Sequence, residues 1–146
     1  MDDLLKAMKF RPEDHEIVLA VCNVYGKKRY YTVAIQHCEK ALNLDSDDHR
    51  TMNRLAWLYA KKQIHLEKAM ELSRKTLQAF PDRPEYIDTL SELYYVQGKI
   101  DQAVENIKIA IDLVPDEIYY KQQLWKFKNV KPKPLPKKQA ETAETS

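Results

Sequence analysis

Equivalent residues recur along this chain at intervals of 34 or 35 positions: Tyr25, Ala34, Ala41 and Ser46 align with Tyr59, Ala69, Thr76 and Pro81, and these with Tyr94, Ala103, Ala110 and Pro115. A period of that length holds two short helices and two turns, and a unit so small cannot enclose a core of its own. It has to stack on copies of itself.

The apolar residues within each unit have helical spacing. Val18, Val21 and Tyr25 fall at i, i+3 and i+7, on one helix face, and Ala34, Ile35, Cys38, Ala41 and Leu42 form the stripe of a second helix. The second unit supplies Met52, Leu55 and Tyr59, then Ala69, Met70, Leu72 and Leu77; the third supplies Ile87, Leu90 and Tyr94, then Ala103, Val104, Ile107, Ala110 and Ile111. Each unit is therefore predicted to be an αα-hairpin, and stacking is how its two faces leave water.

At these positions the chain resembles the tetratricopeptide-repeat family over roughly residues 1–128. The family's small residue on the first helix is Cys22, Ala56 and Ser91 here, and the small residue opening the second is Ala34, Ala69 and Ala103. The resemblance implies an all-α fold, a right-handed superhelical array of antiparallel helix pairs with a C-terminal capping helix. The pattern has departures. The turn between the helices carries Gly98 in the third unit but Arg29 and Gln63 at the matching places, and the second unit has one extra residue near Ile64 to Leu66. A local distortion is expected there.

The division read from this register is a preceding half unit at 1–14, repeats at 15–48, 49–83 and 84–117, a capping helix at 118–129 and a Lys/Pro-rich tail at 130–146. Lys6, Ala7, Met8, Phe10 and Pro12 match the end of a second helix with no first helix before it, which suggests further repeats or another domain upstream, or else a natural stub that caps the stack. Its apolar flank could be covered by a second copy of the chain. In the capping helix Tyr120, Leu124 and Phe127 are the apolar face, Lys121, Gln122, Gln123 and Lys126 the polar one, and Trp125 is expected in the core. The tail has almost nothing to bury and is expected to be extended and disordered.

Little in the chain favours chemistry. Two glycines argue against a phosphate-cradling loop, and no apolar run is long enough to span a membrane. His15, His37, His49 and His65 are scattered, so no metal and no cofactor is expected. Cys22 and Cys38 occupy packing positions without a CxxC motif and are expected to be buried free thiols, with a disulfide between them as the alternative. Asp47 and Asp48 precede a helix start, where carboxylates cap orphan amides.

What remains is the inner surface. The resemblance places Asn23 and Lys27, then Arg50, Asn53, Arg54, Trp57 and Lys61, then Glu85, Asp88, Glu92 and Tyr95 on the concave face, a cation-rich middle beside an acidic third unit. The set of Lys, Asn and Arg with which some family members clamp a C-terminal carboxylate is not there: only Asn23 matches, and Leu19, Arg54, Glu85 and Thr89 stand at the other places. The expected function is a scaffold that binds a peptide or protein partner and has no catalysis of its own. The alternatives are the regulatory or assembly tail of a larger enzyme or membrane protein, and a nucleic-acid-binding superhelix. A phosphate backbone would meet Glu85, Asp88 and Glu92, so no nucleic acid is expected.

Overall fold

The computed structural model describes residues 1–136, which form helices α1 (Asp2–Phe10), α2 (His15–Lys27), α3 (Tyr31–Leu44), α4 (His49–Lys62), α5 (Leu66–Ala79), α6 (Pro84–Val96), α7 (Ile100–Leu113) and α8 (Ile118–Asn129), with no strand among the described residues. The pairs α2–α3, α4–α5 and α6–α7 are hairpins, each packed on the next, with α1 against α2 and α8 against α7.

Local chemistry sets the helix ends. Asp14 and Asp48 accept from the amides of Ile17 and Arg50, at 3.2 and 3.0 Å, and so cap α2 and α4. Pro84 opens α6, where a missing N–H removes no bond. At the other end each hairpin turn closes in the same way: the amides of Tyr30, Ile64 and Lys99 donate to the carbonyls of Tyr25, Tyr59 and Tyr94, at 3.0, 3.0 and 2.9 Å. That closure needs a left-handed residue between. Gly98 takes it with φ +79°, and Arg29 and Gln63 take it with φ +63° and +55° at a steric cost glycine avoids. The extra residue of the second unit puts His65 in the left-handed region too, at φ +49°, immediately before α5.

The second helices also end alike. Arg11, Asp45, Phe80 and Val114 donate their amides to the carbonyls of Ala7, Ala41, Thr76 and Ala110. Thus α1 ends as α3, α5 and α7 do, although it buries no residue fully and leaves Phe10 86% exposed.

The core runs continuously through the stack. Cys22, Ala56 and Ser91 on the first helices, and Ala34, Ala69 and Ala103 on the second, are all fully buried where helix axes come closest. Between them Leu55, Leu58, Tyr59, Leu93 and Ile107 fill the larger spaces.

Three expectations are corrected. Cys22 and Cys38 are not free thiols but a disulfide, joining α2 to α3 with Cα atoms 5.4 Å apart, because the packing of the first hairpin aims both side chains at one point. Trp125 is 63% exposed: α8 buries Tyr120, Gln123 and Phe127, an i, i+3, i+7 stripe, and Trp125 falls on the opposite side. Residues 130–136 are not loose. They run extended against the array, with Tyr95 Oη donating to the Val130 carbonyl at 2.8 Å and Gln63 Nε2 to the Lys133 carbonyl at 2.9 Å. Residues 137–146, the rest of the expected disordered tail, lie outside the described residues.

Candidate protein-binding cleft

The first helices α2, α4 and α6 line up side by side, and between them opens a cleft of about 360 Å³ lined by Leu19, Asn23, Arg50, Asn53, Arg54, Arg83, Glu85 and Tyr86. Asn23, Arg50, Asn53, Arg54 and Glu85 come together here. Arg83 and Tyr86 were not anticipated: Arg83 Nη1 donates to the Tyr86 hydroxyl at 3.2 Å, and the guanidinium lies 4.3 Å from the Phe80 ring centre, which pins it at the cleft edge.

Most of the charges expected to face a partner are already matched within the fold. Arg50 donates to Glu16 Oε1 at 2.6 Å and to Asp48 Oδ2 at 2.9 Å, and these bonds raise its guanidinium above the ordinary arginine range. His15, beside it, has Nδ1 2.8 Å from the Ala41 carbonyl and Nε2 2.6 Å from Asp48 Oδ2. Both neighbours are acceptors, an arrangement that favours the doubly protonated ring. Burial opposes that charge, but the bonds to Asp48 and Ala41 prevail and raise the imidazole above 6.5. Asp48 is held well below the usual carboxylate range by Arg50 and His15, against the effect of its burial. His15, Asp45 and Asp48 bring their ligand atoms within 4.8 Å of one another. As it stands, the His15–Asp48 contact joins the first unit to the second.

The acidic wall expected from the third unit is corrected as well. Asp88 and Glu92 are 6% and 2% exposed, because α8 lies over them. Gln123 Nε2 donates to Asp88 Oδ1 and to Glu92 Oε2, both at 3.0 Å, and Lys126 Nζ donates to Glu92 at 2.8 and 3.0 Å. Lys61 of α4 reaches Glu92 at 3.1 Å, and its ammonium also stands 4.4 Å above the Trp57 ring. Burial pushes the Asp88 carboxyl up to about 7 in spite of the Gln123 bond, whereas in Glu92 the same effect is outweighed by Lys61 and Lys126, which hold it below 4.5. Tyr95 is buried too, stacked on Phe127 with ring centres 4.9 Å apart. Gln123 was read as a polar, outward residue, yet it follows Asp88 by the same 35 positions that separate Asp88 from Asn53. Extending the period into α8 would have placed it on the inner face.

Arg54 is what remains. No carboxylate among the described residues pairs with it; burial draws its guanidinium down, offset only by the Tyr119 phenol. Asn53 Oδ1, at its side, is buried with no hydrogen-bond partner among the described residues. Trp57 is half-buried, Lys27 is exposed at the end of α2, and Glu85 is exposed at the cleft mouth.

No family model matches the chain. Among curated proteins it is 27% identical over 107 residues to the human protein O-mannosyl-transferase TMTC1 and 28% identical over 109 residues to human tetratricopeptide repeat protein 13. Those matches take in 71% and 72% of this chain but 12% and 13% of the two relatives, so the chain spans only a small part of their length. Among solved structures, MamA (41-end) from Desulfovibrio magneticus RS-1 superposes with a TM-score of 0.70 at 20% identity, over 97% of this chain and 76% of that one. The first TPR of Spaghetti (RPAP3), bound to the HSP90 peptide SRMEEVD, gives 0.65 at 15% identity, over 78% and 90%. The stacked hairpins and these structural likenesses show the fold of a tetratricopeptide-repeat solenoid, and the 34- and 35-residue register is consistent with it.

Proposed function

We propose that this array is a protein-interaction module whose cleft between α2, α4 and α6 holds an acidic segment of a partner protein, with no catalysis of its own. One observation carries this reading: Arg54 is a largely buried cation with no carboxylate partner among the described residues, beside an Asn53 oxygen with no donor among them. Groups left in that condition cost stability until a ligand completes them, and charge-assisted bonds to a guanidinium are among the stronger ones available. A partner carboxylate at Arg54 and an N–H at Asn53 supply what is missing. Leu19 and Tyr86, both buried, form the floor of the cleft, and Trp57, outside its lining, offers a partly exposed ring of the kind that anchors interfaces. That a solved neighbour with this fold is bound to the short acidic peptide SRMEEVD supports the choice of ligand class.

The acidic half of the inner face, covered by α8, no longer favours a basic partner segment. A short segment in one such cleft gives an affinity near micromolar, about −8 kcal/mol. The test is selection of phage-displayed peptides on the full chain, with Arg54→Glu as counter-selection. Enrichment of Asp- and Glu-containing peptides that lose at least tenfold in affinity for Arg54→Glu supports the proposal. Peptides without acid preference, or bound equally by the variant, overturn it.

A further inference from the structure

A second surface is already occupied. After α8 the chain turns back across the C-terminal ends of the first helices, and its carbonyls meet them in order: Val130 at Tyr95, near the end of α6, and Lys133 at Gln63, the residue that closes α4. The spacing has a simple origin. Three residues of extended chain cover about 9–10 Å, and packed helices lie about 8–10 Å apart, so every third carbonyl reaches the next helix end. The side chains keep the same count. Pro132 and Leu135, three apart, are half-buried, with Leu135 against the core, while Lys131, Lys133, Pro134 and Pro136 are exposed. Alternate prolines suit such a strip because they hold the chain extended and carry no N–H that would need a partner.

We propose that this rim is a second binding strip, distinct from the cleft. It reads a proline-spaced extended segment through backbone carbonyls at every third residue and apolar side chains three apart, and residues 130–136 fill it in cis. The tail is then a built-in competitor. A partner segment of the same chemistry binds only by displacing it, and for a strip of about 100 μM intrinsic affinity a tethered competitor at millimolar effective concentration weakens that binding about tenfold. One unit further along the same rim, Arg29 stands at the position of Gln63, beside a shallow cavity of about 260 Å³ whose lining includes Tyr30, Val33 and Lys62. A longer segment can follow the rim there.

The experiment uses full-length protein and a fluorescent, end-blocked peptide of the sequence Val-Lys-Pro-Lys-Pro-Leu-Pro, with binding read by anisotropy. The chain carrying Pro132→Asp and Leu135→Asp, whose strip is empty, should bind the peptide at least tenfold more tightly than the unaltered chain. Leu135→Ser alone, a milder change, should give an intermediate gain. Adding Tyr95→Phe and Gln63→Gly to the emptied chain should abolish the gain, while Arg54→Glu should leave it unchanged, so that the strip and the cleft stand or fall separately. Equal binding to emptied and unaltered chains, or no binding to either, overturns the proposal.

Discussion

Replacing Glu92 with alanine tests whether the contacts that fasten α8 to the third repeat stabilise the fold. Glu92 is 2% exposed and uses both carboxylate oxygens, accepting from Lys61 at 3.1 Å, from Lys126 at 2.8 and 3.0 Å, and from Gln123 at 3.0 Å. Removing it strands two ammonium groups and an amide. Breaking a buried ion pair from one side costs about 3–5 kcal/mol. The lower end applies, because the Lys61 and Lys126 side chains are 25% and 27% exposed and can turn toward water. At roughly 3 °C per kcal/mol for a domain of this size, a loss of about 3 kcal/mol lowers the melting temperature by about 10 °C. The loss should begin at one place. In an array each unit leans only on its neighbours, so hydrogen exchange should show α8 losing protection before α2 to α5 do. Lys126→Met, which leaves Glu92 with Lys61 and Gln123, should cost clearly less. A fall below about 3 °C for Glu92→Ala, with α8 protection unchanged, would refute the assignment of α8 docking to these charges.

Other outcomes follow from the same structure. Asp88, raised from 3.8 to about 7, favours the fold when protonated; its contribution is full below 3.8 and lost as pH climbs to 7, whereas that of Glu92 is present above 4.5 and lost on acidification. From these two groups the urea midpoint should therefore be highest between 3.8 and 4.5 and decline from there toward 7, and Asp88→Asn, which keeps an oxygen for Gln123, should flatten that decline. His15, also raised, adds a decline above 6.5 that Asp88→Asn leaves in place. Reducing the Cys22–Cys38 bridge opens a loop of sequence separation 16 and should cost about 3 kcal/mol by the chain-entropy estimate, read as a lower melting temperature in dithiothreitol. Arg29→Gly relieves a left-handed residue at φ +63° and should raise stability by about 0.5–1 kcal/mol in urea titration.

The sequence was sufficient for the fold because a repeat array is built from near-neighbour contacts. Helical spacing within a unit and small residues at the closest approaches are local signals, and recurrence at 34 or 35 positions says that they are answered by the next copy. Even the distorted second turn was visible, as one residue too many before Leu66. Arg54 was legible as an inner cation from the register read together with the family resemblance.

What pairs with what was settled only in three dimensions. Arg50 and Glu16 are 34 positions apart, Gln123 and Asp88 35, and Gln63 and Lys133 70. No composition or spacing rule distinguishes a charge that waits for a partner from one already matched across units; that depends on helix rotation and on which surface the last helix covers. The same holds for Cys22 and Cys38, whose bridge required the crossing of α2 and α3. It holds most for residues 130–136, whose polar, proline-rich composition lacks the apolar content that signals docking; a half-buried Leu135 and two hydrogen bonds from neighbouring helix ends hold them in place, and those donors come together only once the repeats have stacked.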